Sequence, residues 1–195
     1  MPSPENFRKI ITAFGIEQDI IDEIYSGYED LKDKSDRKIK SEFFAHALSV
    51  MNEKLPPDRV REILEANACC KSGTRLKNSK QFAKENKDKS LEEKLELISS
   101  QPQLNMGSAE LDEKNNLLIH AVSYKSDEKF ECACPTVSRV KHTQPIPKEY
   151  CYCCAGHFSF HYELMLGVKL KEVEIVSSPH EDENYPCVFR FEIEN

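Results

Sequence analysis

Ile16, Ile20, Ile21, Ile24, Tyr28 and Leu31 recur at nearly three-and-a-half-residue spacing, and Glu17, Asp19, Asp22 and Glu23 fill the other side, which predicts an amphipathic helix over 16–31. Phe43, Phe44, Ala47, Leu48 and Met51 repeat the pattern for a second helix. Pro56-Pro57 forces a stop, because proline lacks a backbone donor and crowds the preceding turn. A third helix then carries Val60, Ile63 and Leu64. Ser90 is an N-cap with Glu93 as its capping-box partner, so a later helix presents Leu91, Leu95 and Ile98 on one face and exits at Pro102. These stripes define a helical region over 1–105.

Beyond it the period changes to two. LLIHAVSY and KFECAC, separated by Lys125-Ser126-Asp127-Glu128, predict a hairpin with Phe130, Cys132 and Cys134 on one face. Pro135 ends that strand, and a loop runs to Pro147. Tyr150 to Cys154 is then expected as a strand, with Cys151 and Cys153 on one face and Cys154 on the other. Ala155-Gly156 turns the chain into the helix HFSFHYELMLG, closed by Gly167, with Phe158, Tyr162 and Met165 as one stripe and His157 and His161 as another. Two strands follow. The first, Lys171 to Ser178, aligns Val173 with Ile175, and the last points Cys187, Phe189, Phe191 and Ile193 inward and Arg190, Glu192 and Glu194 outward. The expected fold class is α+β, an N-terminal helical region followed by a twisted antiparallel sheet packed with helices over 106–195.

Charge narrows the partners. The 195 residues carry a formal charge of -7, with no long block of like charge, which argues against double-stranded nucleic acid. The start lacks an apolar segment before its first acidic residue, and no uncharged apolar run approaches a membrane span, so the expected location is cytoplasmic. In that compartment the eight cysteines, six of them in the last 85 residues, read as thiols or metal ligands rather than disulfides. If the two cysteine-bearing strands are neighbours, Cys132, Cys134, Cys151 and Cys153 converge as four thiolates around tetrahedral Zn2+ at about 2.3 Å per bond. Cys154, His157 or His161 can replace a sulfur. Reduced cysteines without metal and redox pairing remain open alternatives, and the common iron–sulfur spacings are absent.

Three other groups carry candidate chemistry. Cys69 and Cys70 follow the third helix beside Lys71 and Arg75, cations that lower the pKa of a nearby thiol, although KSGTR has neither the glycine spacing nor the context of a phosphate loop. His157 and His161 stand at i,i+4 without the carboxylate of an HExxH motif, so they are either hydrogen-bonded in a packed junction or available for ligand contact and proton transfer. Glu163 is a carboxylate on the same helix. Cys187 shares a direction with aromatic side chains, either buried or at the mouth of an apolar cavity.

The run from Cys151 to Ile193, with Gly156, Phe160, Glu163, Leu166-Gly167, Glu172 or Glu174, and Cys187 with Phe189, resembles the C-terminal signature of 4-vinyl-reductase-type small-molecule-binding domains. It is also more distantly similar to the L-2-amino-thiazoline-4-carboxylic acid hydrolase-like family. The first resemblance implies a twisted antiparallel sheet with helices, an apolar pocket for a hydrocarbon-like or tetrapyrrole-like ligand, and cysteines that in some members hold zinc; the expected common packing region of Phe160, Cys187 and Phe189 places such a ligand beside them. The chain departs from that family in its Glu181 to Pro186 turn and its dense CYCC run. Three functional classes follow. The first is a zinc-containing small-molecule-binding or sensor domain, with the helical region covering an apolar pocket and a homodimer or signalling partner reading its state. The second is a cysteine- or zinc-dependent hydrolase acting on a small cyclic C–N substrate, with His157, His161, Glu163 and Cys187 as its catalytic groups. The third is a structural zinc module mediating assembly.

Overall fold

Helices come first and a multi-strand sheet later, with further helices interleaved, so the fold is α+β. A computed structural model describes residues 3–138, 140 and 143–194. The chain forms two compact units, each assembled from two segments: Met1–Cys69 with Cys134–Gly156, and Cys70–Ala133 with His157–Asn195.

The first unit begins with α1, Pro4–Ala13, whose N-cap Ser3 accepts from the Asn6 amide and whose first position is a proline. Next come α2, Gln18–Ile24, α3, Arg37–Lys54, and α4, Pro57–Ala66. The helix expected over 16–31 is therefore short. Gly27 adopts φ 79°, a left-handed turn that lets Leu31 reach the core from outside any helix. Helix α1 had no counterpart in the periodicity reading. Phe7, Phe43 and Phe44 are at most 1% exposed and meet edge-on, with ring centroids 5.1 to 6.1 Å apart. Each such pair adds about 0.5–1.5 kcal/mol beyond area burial. Phe44 passes this packing on to Tyr150, whose ring lies 5.8 Å away.

Tyr150 marks the main correction to the sequence reading. Tyr150 to Cys154 is not a strand: a 3-10 turn, Lys148–Cys151, leads directly into α7, Tyr152–Leu166. The alternation in YCYCC is too short to outweigh the helical pattern that continues from Ala155 to Leu166, and Pro147 supplies a helix start just upstream. Gly156 consequently lies inside α7 instead of in a turn. Cys151 and Cys153 do not share a face either, because residues two apart on a helix point about 200° apart.

The second unit holds α5, Gly73–Glu85, which periodicity did not reveal, and α6, Leu91–Ser99, where the expected Ser90–Glu93 capping box is formed. Its main sheet contains β1, Ser108–Leu111, β2, Leu117–His120, β5, Lys169–Ser177, and β6, Val188–Glu194, antiparallel throughout in the order β1-β2-β6-β5. A separate hairpin pairs β3, Tyr124–Ser126, with β4, Lys129–Glu131, through Asp127 and Glu128 at φ 51° and 66°. The expected pairing of LLIHAVSY with KFECAC is thus replaced. LLIH lies between β1 and β6, and only YKS pairs with KFE. Cys132 and Cys134 follow the end of β4, so strand period does not set their faces.

In register, Ile119 faces Phe189 and Leu117 faces Phe191, and all four are at most 1% exposed. Phe158 of α7 packs on Phe189 with centroids 5.7 Å apart, and Tyr162 Oη donates to the Met106 carbonyl at 3.3 Å. The Phe158, Tyr162 and Met165 stripe is buried as expected. Gly167 ends α7 at φ 76°. On β6, Glu192 and Glu194 are exposed, Ile193 is half-buried, and Arg190 pairs with Asp112 and Glu174. The side chains of Glu172 and Val173, used in the sequence reading, lie outside the described residues.

Candidate metal centre

Five cysteines belong to the first unit: Cys69, Cys134, Cys151, Cys153 and Cys154. Gly156 brings α7 onto the end of α4. A Cβ built there would stand 2.7 Å from the Glu65 carbonyl oxygen and 2.8 Å from Glu65 Cα, so only glycine tolerates this backbone approach. Cys153, three residues earlier on the same helical face, is thereby aimed at the chain leaving α4. Its Sγ donates to the Asn67 carbonyl at 3.7 Å and hydrogen-bonds the Cys69 thiol. Chain direction at Cys70, φ 64°, separates the adjacent pair, leaving Cys70 exposed and Cys69 half-buried.

The hydrogen bond with Cys69, then burial, then the nearby Cys154, Cys69 and Cys134 sulfurs push the Cys153 thiol well above its ordinary value of 9.0. Cys134 carries the turn 134–138, where its carbonyl accepts from the Val137 and Ser138 amides, and its Sγ shares a hydrogen bond with Tyr150 Oη at 3.3 Å. All eight cysteines are outside disulfides. Among the described residues no three His, Cys, Asp or Glu side chains form a ready-made metal site. The Cys153 thiol is thus turned toward Asn67 O, while either Cys134 Sγ or Tyr150 Oη can be the donor of the bond between them.

Cys69, Cys134, Cys153 and Cys154 are electrostatically linked thiols, of which Cys134 and Cys153 are buried and Cys69 and Cys154 half-buried. Thiols gathered in a buried place are costly to ionise one by one, whereas a bound cation deprotonates them and repays the desolvation. Of the four cysteines expected as ligands, Cys134 and Cys153 belong to this group. Cys151 is buried at the end of the 3-10 turn, and Cys132 is buried in the span of the second unit. Cys69 and Cys154 join from outside the expected four.

In the second unit, His157 and His161 line up against α5 in a two-rung ladder. Arg75 Nη1 donates to His157 Nε2 at 2.9 Å, and Ser79 Oγ lies 2.8 Å from His161 Nδ1. His161 Nε2 lies 3.0 Å from the Cys70 carbonyl, which only accepts, so Nε2 carries the proton and Nδ1 accepts from Ser79. Burial, with the Arg75 and Lys71 charges, lowers the His161 pKa below its ordinary 6.5 against the raising effect of the Cys70 carbonyl. Arg75 and Ser79 stand at i,i+4, the spacing of the two histidines. That matched spacing was the sequence signal for this contact.

The remaining candidates are occupied in local structure. Glu163 Oε1 accepts from the Leu170 amide at 2.9 Å and Oε2 pairs with Lys169 at 3.3 Å, bracing the turn from α7 to β5. Cys187 is 7% exposed at the start of β6, and its carbonyl accepts from Ala121. Phe189 is fully buried under Phe158. Phe160 instead lines an open groove of about 700 Å³ with Leu164, Val168 and Lys169. No helix among the described residues is long and apolar enough to cross a membrane.

Compared with known proteins, the chain matches no family model, no curated protein and no solved structure.

Proposed function

We propose that the first unit houses a zinc–thiolate centre, with Cys69, Cys134, Cys153 and Cys154 as its ligands, and that the protein is a small zinc-containing module. The observation that carries this reading is Cys153: a buried thiol hydrogen-bonded to Cys69 and within electrostatic reach of Cys134 and Cys154. Four thiolates and no open position constitute a structural zinc site, which ties the end of α4, the turn 134–138 and the start of α7 together. Binding free energy at such a site becomes folding free energy. The reading rests on these thiols and not on the resemblance to 4-vinyl-reductase-type domains.

A ligand-binding role is a second reading, supported by the open groove beside Phe160. Hydrolysis by His157, His161, Glu163 and Cys187 draws no support from their contacts, which brace helices and turns. Metal analysis of the full chain tests the zinc reading. About one zinc per chain is expected, with strong loss in Cys153→Ser and Cys134→Ser and retention in Cys187→Ser, which lies in the other unit. Full metal content in both Cys153→Ser and Cys134→Ser overturns it.

A further inference from the structure

From Lys71 to Lys89 the chain carries seven cations against two carboxylates, Glu85 and Asp88, within a protein whose formal charge is -7. Most of that stretch is α5, in the second unit. At about 100° per residue, Arg75, Ser79 and Phe82 fall on one side of the helix and Lys77, Lys80 and Lys84 on the opposite one. The first side is engaged: Arg75 reaches His157, Ser79 reaches His161, and Phe82 is buried. The three lysines are exposed. Together they run along about 10 Å of helix.

Among the described residues none of these three lysines makes an ion pair. Helix α4 is built differently, with Arg59 on Glu62 and Arg61 on Asp58 and Glu65, at the i,i+3 and i,i+4 spacings that stabilise a helix. On α5, Lys77 and Lys80 stand at i,i+3 and Lys80 and Lys84 at i,i+4, where like charges destabilise it. The helix also has no acidic residue in its first turn, the position that would favour its dipole. An external anion supplies the charge that the chain itself does not.

The stripe restricts what that anion can be. The exposed residues of α5 include no aromatic side chain, whereas single-stranded nucleic acid is held by stacking as well as by charge. They include no large apolar side chain to enter a membrane interface either. A long polyanion or a membrane also brings the rest of an acidic chain into repulsion. A short acidic segment meets the lysines inside the screening length of about 8 Å at physiological salt. We propose that Lys77, Lys80 and Lys84 form a docking stripe for an acidic segment of a partner protein, with Asp or Glu carboxylates spread over roughly the same 10 Å. This surface is independent of the zinc–thiolate reading, because the lysines belong to the second unit and the thiols to the first.

Fluorescence anisotropy of a dye-labelled oligo-glutamate peptide, titrated with the full chain at low and at physiological ionic strength, tests the stripe. Wild type is expected to bind, with affinity falling as salt rises. The triple variant Lys77→Gln, Lys80→Gln, Lys84→Gln should bind about ten-fold or more weakly, the loss expected from three exposed ion pairs. It should also resist urea as well as wild type or better, since it relieves like-charge repulsion; lysines that only supported the helix would not separate binding from stability in this way. Lys80→Gln alone should show an intermediate loss, which keeps the test open if the triple variant does not fold. A control triple variant, Lys9→Gln, Lys34→Gln, Lys38→Gln, makes the same change in net charge on exposed lysines of the first unit and should bind like wild type. No binding of oligo-glutamate by wild type, equal binding by the α5 variants, or an equal loss in the control overturns the proposal. So does tighter binding to oligo-uridylate or to phosphatidylserine vesicles than to oligo-glutamate, because the partner is then a nucleic acid or a membrane.

Discussion

Replacing Gly156 with alanine probes the contact on which the proposed centre depends. In an ordinary exposed helix interior this change is favourable by about 1 kcal/mol, because glycine loses more backbone freedom on folding. Here the added Cβ would stand 2.7 Å from Glu65 O, 2.8 Å from Glu65 Cα and 3.1 Å from Glu65 C, all backbone atoms with no rotamer to escape into. Ordinary carbon contacts lie at about 3.5–4.0 Å, so α4 and α7 must separate by roughly 1 Å. Overpacking of that kind costs about 1–3 kcal/mol. Set against the helix-propensity gain, the net effect is a destabilisation of up to about 2 kcal/mol. In a chain of this size that lowers Tm by several degrees, at about 2–4 °C per kcal/mol. Urea unfolding followed by far-ultraviolet circular dichroism measures the change directly, and metal content should fall because Cys153 is carried away from Asn67 and Cys69. A Gly156→Ala protein more stable than wild type by about 1 kcal/mol, the value for an uncrowded helix glycine, refutes the close approach and the geometry built on it.

Two further outcomes test the ladder between α5 and α7. Ser79→Ala removes the donor to His161 Nδ1 and leaves a buried acceptor unpaired, so a loss of about 1–3 kcal/mol is expected in urea unfolding; a change near zero means that Ser79 does not hold the ring. His161 has a folded pKa below its unfolded value of 6.5, so the unfolded chain binds the proton more readily. Its contribution to stability is therefore complete above pH 6.5 and is lost as pH falls through the folded pKa. Stability measured across that window should decline on acidification in wild type and decline less in His161→Gln, and an identical slope in the two proteins counts against the assignment.

The elements that were legible in the chain are those whose cause is local. Ser90 and Glu93 cap α6 through each other, Gly167 ends α7 in a conformation open to glycine, and the alternation of Phe189, Phe191, Glu192 and Glu194 on β6 follows from strand period alone. The failures have equally definite causes. YCYCC alternates over too few residues to distinguish a strand from the first turn of a helix, and α5 shows little apolar periodicity because its inward face is Arg75, Ser79 and Phe82. Polar Arg75 and Ser79 leave no apolar stripe for periodicity to register, so the helix stayed hidden. Their partners, His157 and His161, were singled out, but spacing alone left open whether they bound a ligand or a neighbouring helix.

By itself the sequence determined a helical start, a later antiparallel sheet, an acidic chain and a concentration of thiols in its second half. It even contained the glycine that matters, Gly156, though as a turn residue instead of a helix contact. What only tertiary structure decided is which thiols meet. Cys69 and Cys153 are far apart in the chain, and they are neighbours because α7 lies directly against the end of α4, where Glu65 leaves no room for a side chain. Periodicity reports the face a residue presents, which is a property of a few bonds. The partner awaiting that face depends on the packing of distant segments, and no local pattern encodes it.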